Sequence, residues 1–356
     1  MTQRMFAGLL AAALLGVLWF GALREPLPYV IYSPGLTADV LGTTGDDDHE
    51  IVTVEGAETF HDDGELRFTT VYATEPEADV NLFRLLEAWI DGDDAIYPYD
   101  SIYAPEDTDE SQQAEGAFQM TVSQDTAVAV ALTELGYDVP AFPEVDSVLE
   151  GSPAEGVLAT GDRLISIDGT PVRFVQDVAE VVDEIPEDEA AEIRFRRDGE
   201  VRSVSMRREV IDGIPRFGFE MTQYYGFPID VEFGIDPDIG GPSAGLMFSL
   251  AVYDTLTEGS MTGGQVVAGT GTLNPDGTVG PIGGIDQKIA GARDADADLF
   301  LVPAENCNDA YESPQGDMEL VRVATMSEAV DAIEAWAADP DADLPRCETP
   351  TGVAGE

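Results

Sequence analysis

Residues 238–288 constrain this chain more than any other stretch. They open Asp238-Ile239-Gly240-Gly241-Pro242-Ser243-Ala244-Gly245, run into an apolar helix-like segment, and close Pro281-Ile282-Gly283-Gly284-Ile285-Asp286-Gln287-Lys288. Two glycine-rich turns thus each deliver one polar residue to the start of a helix, Ser243 before 244–254 and Lys288 after Gly283-Gly284. Lys288 is the only lysine among 17 basic residues. An ammonium can lose its proton where a guanidinium does not, so a chain that uses arginine everywhere else singles out this position.

The start of a helix offers unpaired N–H groups and a partial positive charge beside the Ser243 oxygen, which suits an oxyanion. Pro242 has no N–H, so the donors would be the amides of Gly240 and Gly241, or those of Ser243 and Ala244. A plain helix cap is the competing reading of Ser243. A serine nucleophile needs a base, and the two histidines, His49 and His61, lie in acidic loops far off in sequence, which supports a Ser-His-Asp triad poorly. A lysine desolvated between Ile285 and Ile289 loses its proton more easily and can accept that of serine. The alternative, a surface lysine at a helix start, fits badly with a chain that avoids lysine elsewhere.

The segments 238–245, Gly269-Thr270-Gly271-Thr272-Leu273, 280–288 and Leu301-Val302-Pro303-Ala304-Glu305-Asn306 resemble, in order and spacing over about 125 residues, the proteolytic domain of Lon proteases. The resemblance implies Ser243 as nucleophile, Lys288 as base, and Thr270 as a hydroxyl hydrogen-bonded to the dyad. It also implies an α+β fold of the ribosomal protein S5 domain 2 type, assembled as a homo-oligomeric ring, commonly of six. Two departures stand out. No GxxxxGK[ST] occurs, so neither ATP nor Mg²⁺ is expected, nor any other cofactor or metal. The acidic residue often found before Gly-Pro-Ser is replaced by Gly240-Gly241, with Asp238 upstream.

A second module spans 116–209. The pattern runs from Ser147 through Gly151-Ser152-Pro153-Ala154-Glu155 to Gly161-Asp162-Arg163-Leu164 and Ile167-Asp168-Gly169. A strand should end at Gly151, Ser152 cap a short helix, and 163–167 form a strand. Residues 175–185 read as an amphipathic helix, and 191–196 with 201–206 as a hairpin across Asp198-Gly199. This resembles a bacterial protease-associated PDZ domain, which implies a groove binding an extended peptide by β-augmentation. A spacer without a ligand is the alternative.

Elsewhere the signals are coarser. The uncharged run 6–23 covers about 27 Å as a helix, near a bilayer core, and is expected to be an uncleaved single-pass anchor rather than a signal peptide. Arg4 favours an inside N-terminus, which would put the rest outside the cytoplasm. Cys307 and Cys347 read as a disulfide, with two free thiols as the alternative. A net charge of −53 makes nucleic acid an unfit partner. That acidity fits either an ion-rich habitat or compositional drift. A β-rich unit with strands at 51–54 and 66–73 should follow the anchor. Acidic clusters at 46–49 and 61–63 read as solvated turns rather than metal ligands. Helices are expected at 80–90, with Leu82, Leu85, Leu86 and Trp89 in a core, and at 123–135, capped by Ser123. The stretch 91–116 reads as a mobile connector, 224–231 as a strand, and the apolar run 299–303 as a short buried strand. A last helix, capped by Ser327, should turn Val330, Ile333, Trp336 and Ala337 inward.

Together these readings give an α+β chain in five parts: an anchor (1–24), a β-rich unit with connector (25–115), the PDZ-like module (116–209), the Lon-like domain (210–340) and a tail (341–356). The expected activity is an ATP-independent serine endopeptidase acting on unfolded or extended polypeptides outside the cytoplasm. A non-catalytic, membrane-tethered scaffold that only oligomerises is the alternative.

Overall fold

A computed structural model describes residues 3–44, 49–186, 189–211 and 213–347. Its helices include α1 (Gln3–Arg24), α2 (Leu82–Ile90), α3 (Asp109–Glu134), α4 (Val175–Glu184), α5 (Gly245–Thr255) and α6 (Ile285–Asp294). The chain divides into two compact units, Met1–Leu135 with Ile229–Glu356, and Gly136–Pro228.

The first unit is built on a six-stranded sheet. Its order is Glu319–Val323, Leu299–Pro303, Val266–Gly269, Glu65–Ala73, Tyr29–Asp39, Ala95–Pro98. The first four strands run parallel, and Tyr29–Asp39 lies antiparallel to both its neighbours. Every residue of Leu299–Pro303 is buried, as its unbroken apolar run requires of a central parallel strand. α5 is buried on nearly all faces, with Phe248 against Phe68 and Phe233 at ring distances of 5.6 and 4.9 Å. The β-rich segment therefore does not stand apart. Leu66 and Phe68, both buried, complete the sheet that carries the later motifs, because Val266–Gly269 would otherwise present an unpaired edge.

Several local expectations change. α3 begins at Asp109, not 123, because Thr108 and Ser111 form a reciprocal capping box ahead of a Gln- and Ala-rich run. Ser123 is thus a buried mid-helix residue, and the presumed connector contains the strand Ala95–Pro98. α2 turns Ala88 and Leu85 inward, while Leu82, Leu86, Trp89 and Ile90 are exposed, so the expected apolar stripe is not a core face. The last helix, Met326–Ala338, is capped by Thr325 rather than Ser327 and buries Val330, Ile333 and Trp336, with Ala337 half-buried.

The membrane expectation is corrected. Among the described residues no helix is long and apolar enough to cross a membrane. α1 forms over the predicted run, and eight of its 22 positions are Ala or Gly, which bury less apolar surface than Leu or Val. A single-pass anchor, and the location outside the cytoplasm inferred from it, lose their basis. Asp46, Asp47 and Asp48 and the tail from 348 onward lie outside the described residues.

The second unit is a sheet in the order Glu200–Arg207, Ala190–Arg197, Arg163–Ile167, Ala141–Val148, Phe219–Tyr225, with α4 packed on it. The hairpin turns where Asp198 (φ 51°) and Gly199 (φ 80°) adopt the positive φ that a two-residue turn demands. Val145, Leu164, Ile167, Val178, Ile193, Phe195 and Met206 form its core. Asp162 is fully buried and neutralised by Arg197 through two hydrogen bonds of 2.5 and 2.6 Å. Residues 152–158 form turns rather than the short helix expected after Ser152. Phe219–Tyr225 ends the sheet as a further strand, since it pairs along Ala141–Val148 and not with the later segment.

Candidate active site

Ser243, Thr270 and Lys288 come together from three separate places: the loop ahead of α5, the residue after the strand Val266–Gly269, and the first turn of α6. Lys288 is 2% exposed. Its Nζ lies 2.8 Å from Ser243 Oγ, 3.2 Å from Thr270 Oγ1 and 2.9 Å from the Thr69 carbonyl oxygen. Burial pulls its pKa down to about 7, because desolvation penalises the ammonium.

The hydrogen-bond directions follow from the partners. The Thr69 carbonyl can only accept. Thr270 Oγ1 donates its one proton to the Ser243 carbonyl at 2.9 Å, so it faces Lys288 as an acceptor. Two of the three contacts at Nζ therefore take N–H donors. The third, to Ser243 Oγ, is free to run either way: an ammonium donates to it, and a neutral amine accepts the serine proton. The arrangement is built for one proton moving along one 2.8 Å line.

The local backbone explains why these side chains meet. The Ser243 carbonyl also accepts the Gly271 N–H at 2.8 Å, and Leu246 N–H donates to the Gly271 carbonyl, which fastens the loop to the segment carrying Thr270. Gly284 caps α6 with φ 69°, and a Cβ there would lie 2.8 Å from Val71 Cγ1, so glycine alone lets Lys288 approach the strand Glu65–Ala73. In front lies a groove of about 620 Å³, lined among others by Tyr32, Val71, Tyr72, Gly240, Gly241, Pro242, Ser243 and Ile282.

The expected oxyanion donors divide. Gly241 N–H donates to the Gly116 carbonyl at 2.9 Å, which withdraws it from the candidates. Ala244 is buried at the head of α5, and the N–H groups of Ser243 and Ala244 have no hydrogen-bond partner among the described residues. His61 sits against Glu50 at 3.5 Å, not in this cluster. Cys307 and Cys347 form a disulfide across 40 residues. The Thr69 carbonyl is the contact that sequence reasoning missed. Every residue has such a group, so no side-chain signal could mark it.

Residues 219–336 match the Lon protease (S16) C-terminal proteolytic domain, and residues 144–197 match a PDZ domain. Among curated proteins, a Lon protease of Phenylobacterium zucineum is 33% identical over 107 residues, 30% of this chain and 13% of its own length. Lon protease 2 of Bacillus subtilis is 30% identical over 107 residues, 30% of this chain and 19% of its own length. The chain thus spans under a fifth of either relative. A PDZ domain from an SdrC-like protein of Listeria monocytogenes aligns over 22% of this chain and 86% of its own, at 22% identity and a TM-score of 0.21.

Proposed function

We propose, from the premise that this chain joins a Lon-type proteolytic domain to a PDZ domain, that it is a serine endopeptidase working through a Ser243–Lys288 dyad. The observation that carries the reading is the triple contact at Lys288 Nζ, in which two partners only accept and the third is the nucleophile. Neutral Lys288 takes the Ser243 proton as Oγ attacks the scissile carbonyl. The resulting ammonium then supplies that proton to the leaving amine, and water releases the acyl group by the same relay. The unpartnered amides of Ser243 and Ala244 are suited to the developing oxyanion. Thr270 acts by holding the Ser243 carbonyl and presenting a lone pair to Nζ.

The substrate is an unfolded or extended polypeptide. Supporting this, the strand Glu65–Ala73 pairs with Val266–Gly269 only as far as Phe68, leaving its 70–72 edge along the groove for a peptide to pair with. Independence of ATP rests on the sequence, whose one lysine is Lys288 and which therefore holds no phosphate-binding GxxxxGK[ST]. The PDZ unit recruits substrate or gates the site, and the proteolytic domain assembles as a homo-oligomeric ring. Both roles rest on resemblance to the two families.

The test is cleavage of a denatured fluorescent protein by the wild type, Ser243→Ala and Lys288→Arg. Losses of ~10³-fold or more in both variants are expected. Equal rates in all three would sink the dyad, while cleavage by the wild type alone would dispose of the non-catalytic scaffold.

A further inference from the structure

Ser123 stands outside the segment that matches the proteolytic domain, yet its side chain reaches into the loop that carries the nucleophile. It is buried in the middle of α3, and its hydroxyl donates to the Pro242 carbonyl at 3.1 Å. About two turns earlier, Gly116 accepts the Gly241 N–H through its carbonyl. The two backbones touch there, since a Cβ on Gly240 would fall 2.9 Å from Gly116 Cα. A Cβ on Gly245 would fall 2.9 Å from Ser123 Oγ. The loop is therefore seated on α3 at three successive points, by glycine contact, by hydrogen bond and by glycine contact again.

The middle point has a chemical consequence. A trans peptide is planar, and its C=O and N–H point in opposite directions. The Pro242–Ser243 bond is trans, as every described peptide bond is. The Pro242 carbonyl, which also takes the longer 3.4 Å bond from the Gly245 N–H, is held toward α3 by Ser123, so the Ser243 N–H points away from α3. That N–H has no partner among the described residues, and Ser243 lines the groove. A serine in mid-helix commonly bonds back to its own helix. Here the hydroxyl is spent on another element.

We propose that Ser123 is a positioning residue for catalysis: by holding the Pro242 carbonyl it aims the Ser243 amide at the oxyanion, with Gly116 and Gly240 setting the loop's distance from α3. The proposal rests on the Ser243–Lys288 reading and adds to it a contribution from outside the proteolytic domain. Losing the aim weakens stabilisation of the tetrahedral state while leaving ground-state binding intact, so the effect belongs in kcat and not in KM.

The experiment compares wild type, Ser123→Ala and Gly240→Ala on a fluorogenic peptide. Alongside, it measures binding of a peptide boronic acid and of the matching carboxamide. The boronic acid forms a bond from Ser243 Oγ to boron, its serine proton passes to Lys288 Nζ, and the anionic tetrahedral adduct offers an oxygen where the oxyanion would lie. The expected result for Ser123→Ala is a kcat lowered about 10- to 100-fold with KM within about twofold. Affinity for the boronic acid should fall in step, and that for the carboxamide should not. Wild-type kcat in Ser123→Ala, or a loss shared equally by both ligands, overturns the proposal. Should Ser123→Ala not fold, Gly240→Ala decides by the same criteria. Cleavage by Ser243→Ala at the wild-type rate is the distinct result that defeats the dyad itself, and this proposal with it.

Discussion

At the scale of single residues, Lys288, the proposed base, is also a burden on the fold. The base must be neutral, so turnover should rise with pH through about 7 and level off above it. A pH–rate profile of kcat/KM checks this, and a flat profile between pH 6 and 8 counts against the assignment. The same shift sets a stability trend. Between pH 7 and about 10.5 the unfolded chain keeps the lysine proton and the folded chain does not. At this site the unfolded state then binds more protons, and the Lys288 contribution to stability rises with pH across that window. Lys288→Met removes this burden and should be more stable than wild type by on the order of 1–4 kcal/mol at pH 7. The gain should shrink toward pH 10, as denaturant melts at the two pH values would show. Ser243 and Lys288 were legible from their residue types and placement at glycine-rich helix starts, and Thr270 only through the resemblance to the Lon proteolytic domain. Thr69 and Ser123 were not, because a backbone carbonyl carries no signal and a helical serine carries an ambiguous one.

Elements show a similar divide. The buried strand Leu299–Pro303 was legible to the residue, since an apolar run bounded by turn residues has few other readings. The placement of Tyr29–Asp39 and Glu65–Ala73 was not. Local periodicity marks a strand but says nothing of its partner some 200 residues away. The extent of α3 escaped for a related reason, as its polar first half carries no apolar period and is held by its cap. The disulfide acts at this scale too. It ties the short helix Cys307–Ala310 to the last described segment, where Leu344 is buried and the Pro345 carbonyl accepts the Arg322 N–H. Closing that loop is worth about 3–4 kcal/mol in the chain-entropy model. Mild reduction should lower the melting temperature by several degrees, and Cys307→Ser with Cys347→Ser should melt at the same lowered temperature and no longer respond to reductant.

For the whole molecule, the division of labour in the sheet predicts which fragments fold. Residues 219–336 contribute only three of the six strands in the main sheet of the first unit, and the other three precede residue 99. A fragment starting at 219 should fail to give a cooperative melt. Residues 136–228 hold a closed core of their own and should melt cooperatively in isolation, by circular dichroism. The lone buried lysine has one more consequence, which is spectroscopic. Feeding ¹⁵N-lysine labels a single side-chain nitrogen in all 356 residues, so its chemical shift reports one titration with no assignment needed. The protonation state of the groove, empty or holding a peptide boronic acid, becomes a single line whose position can be followed against pH.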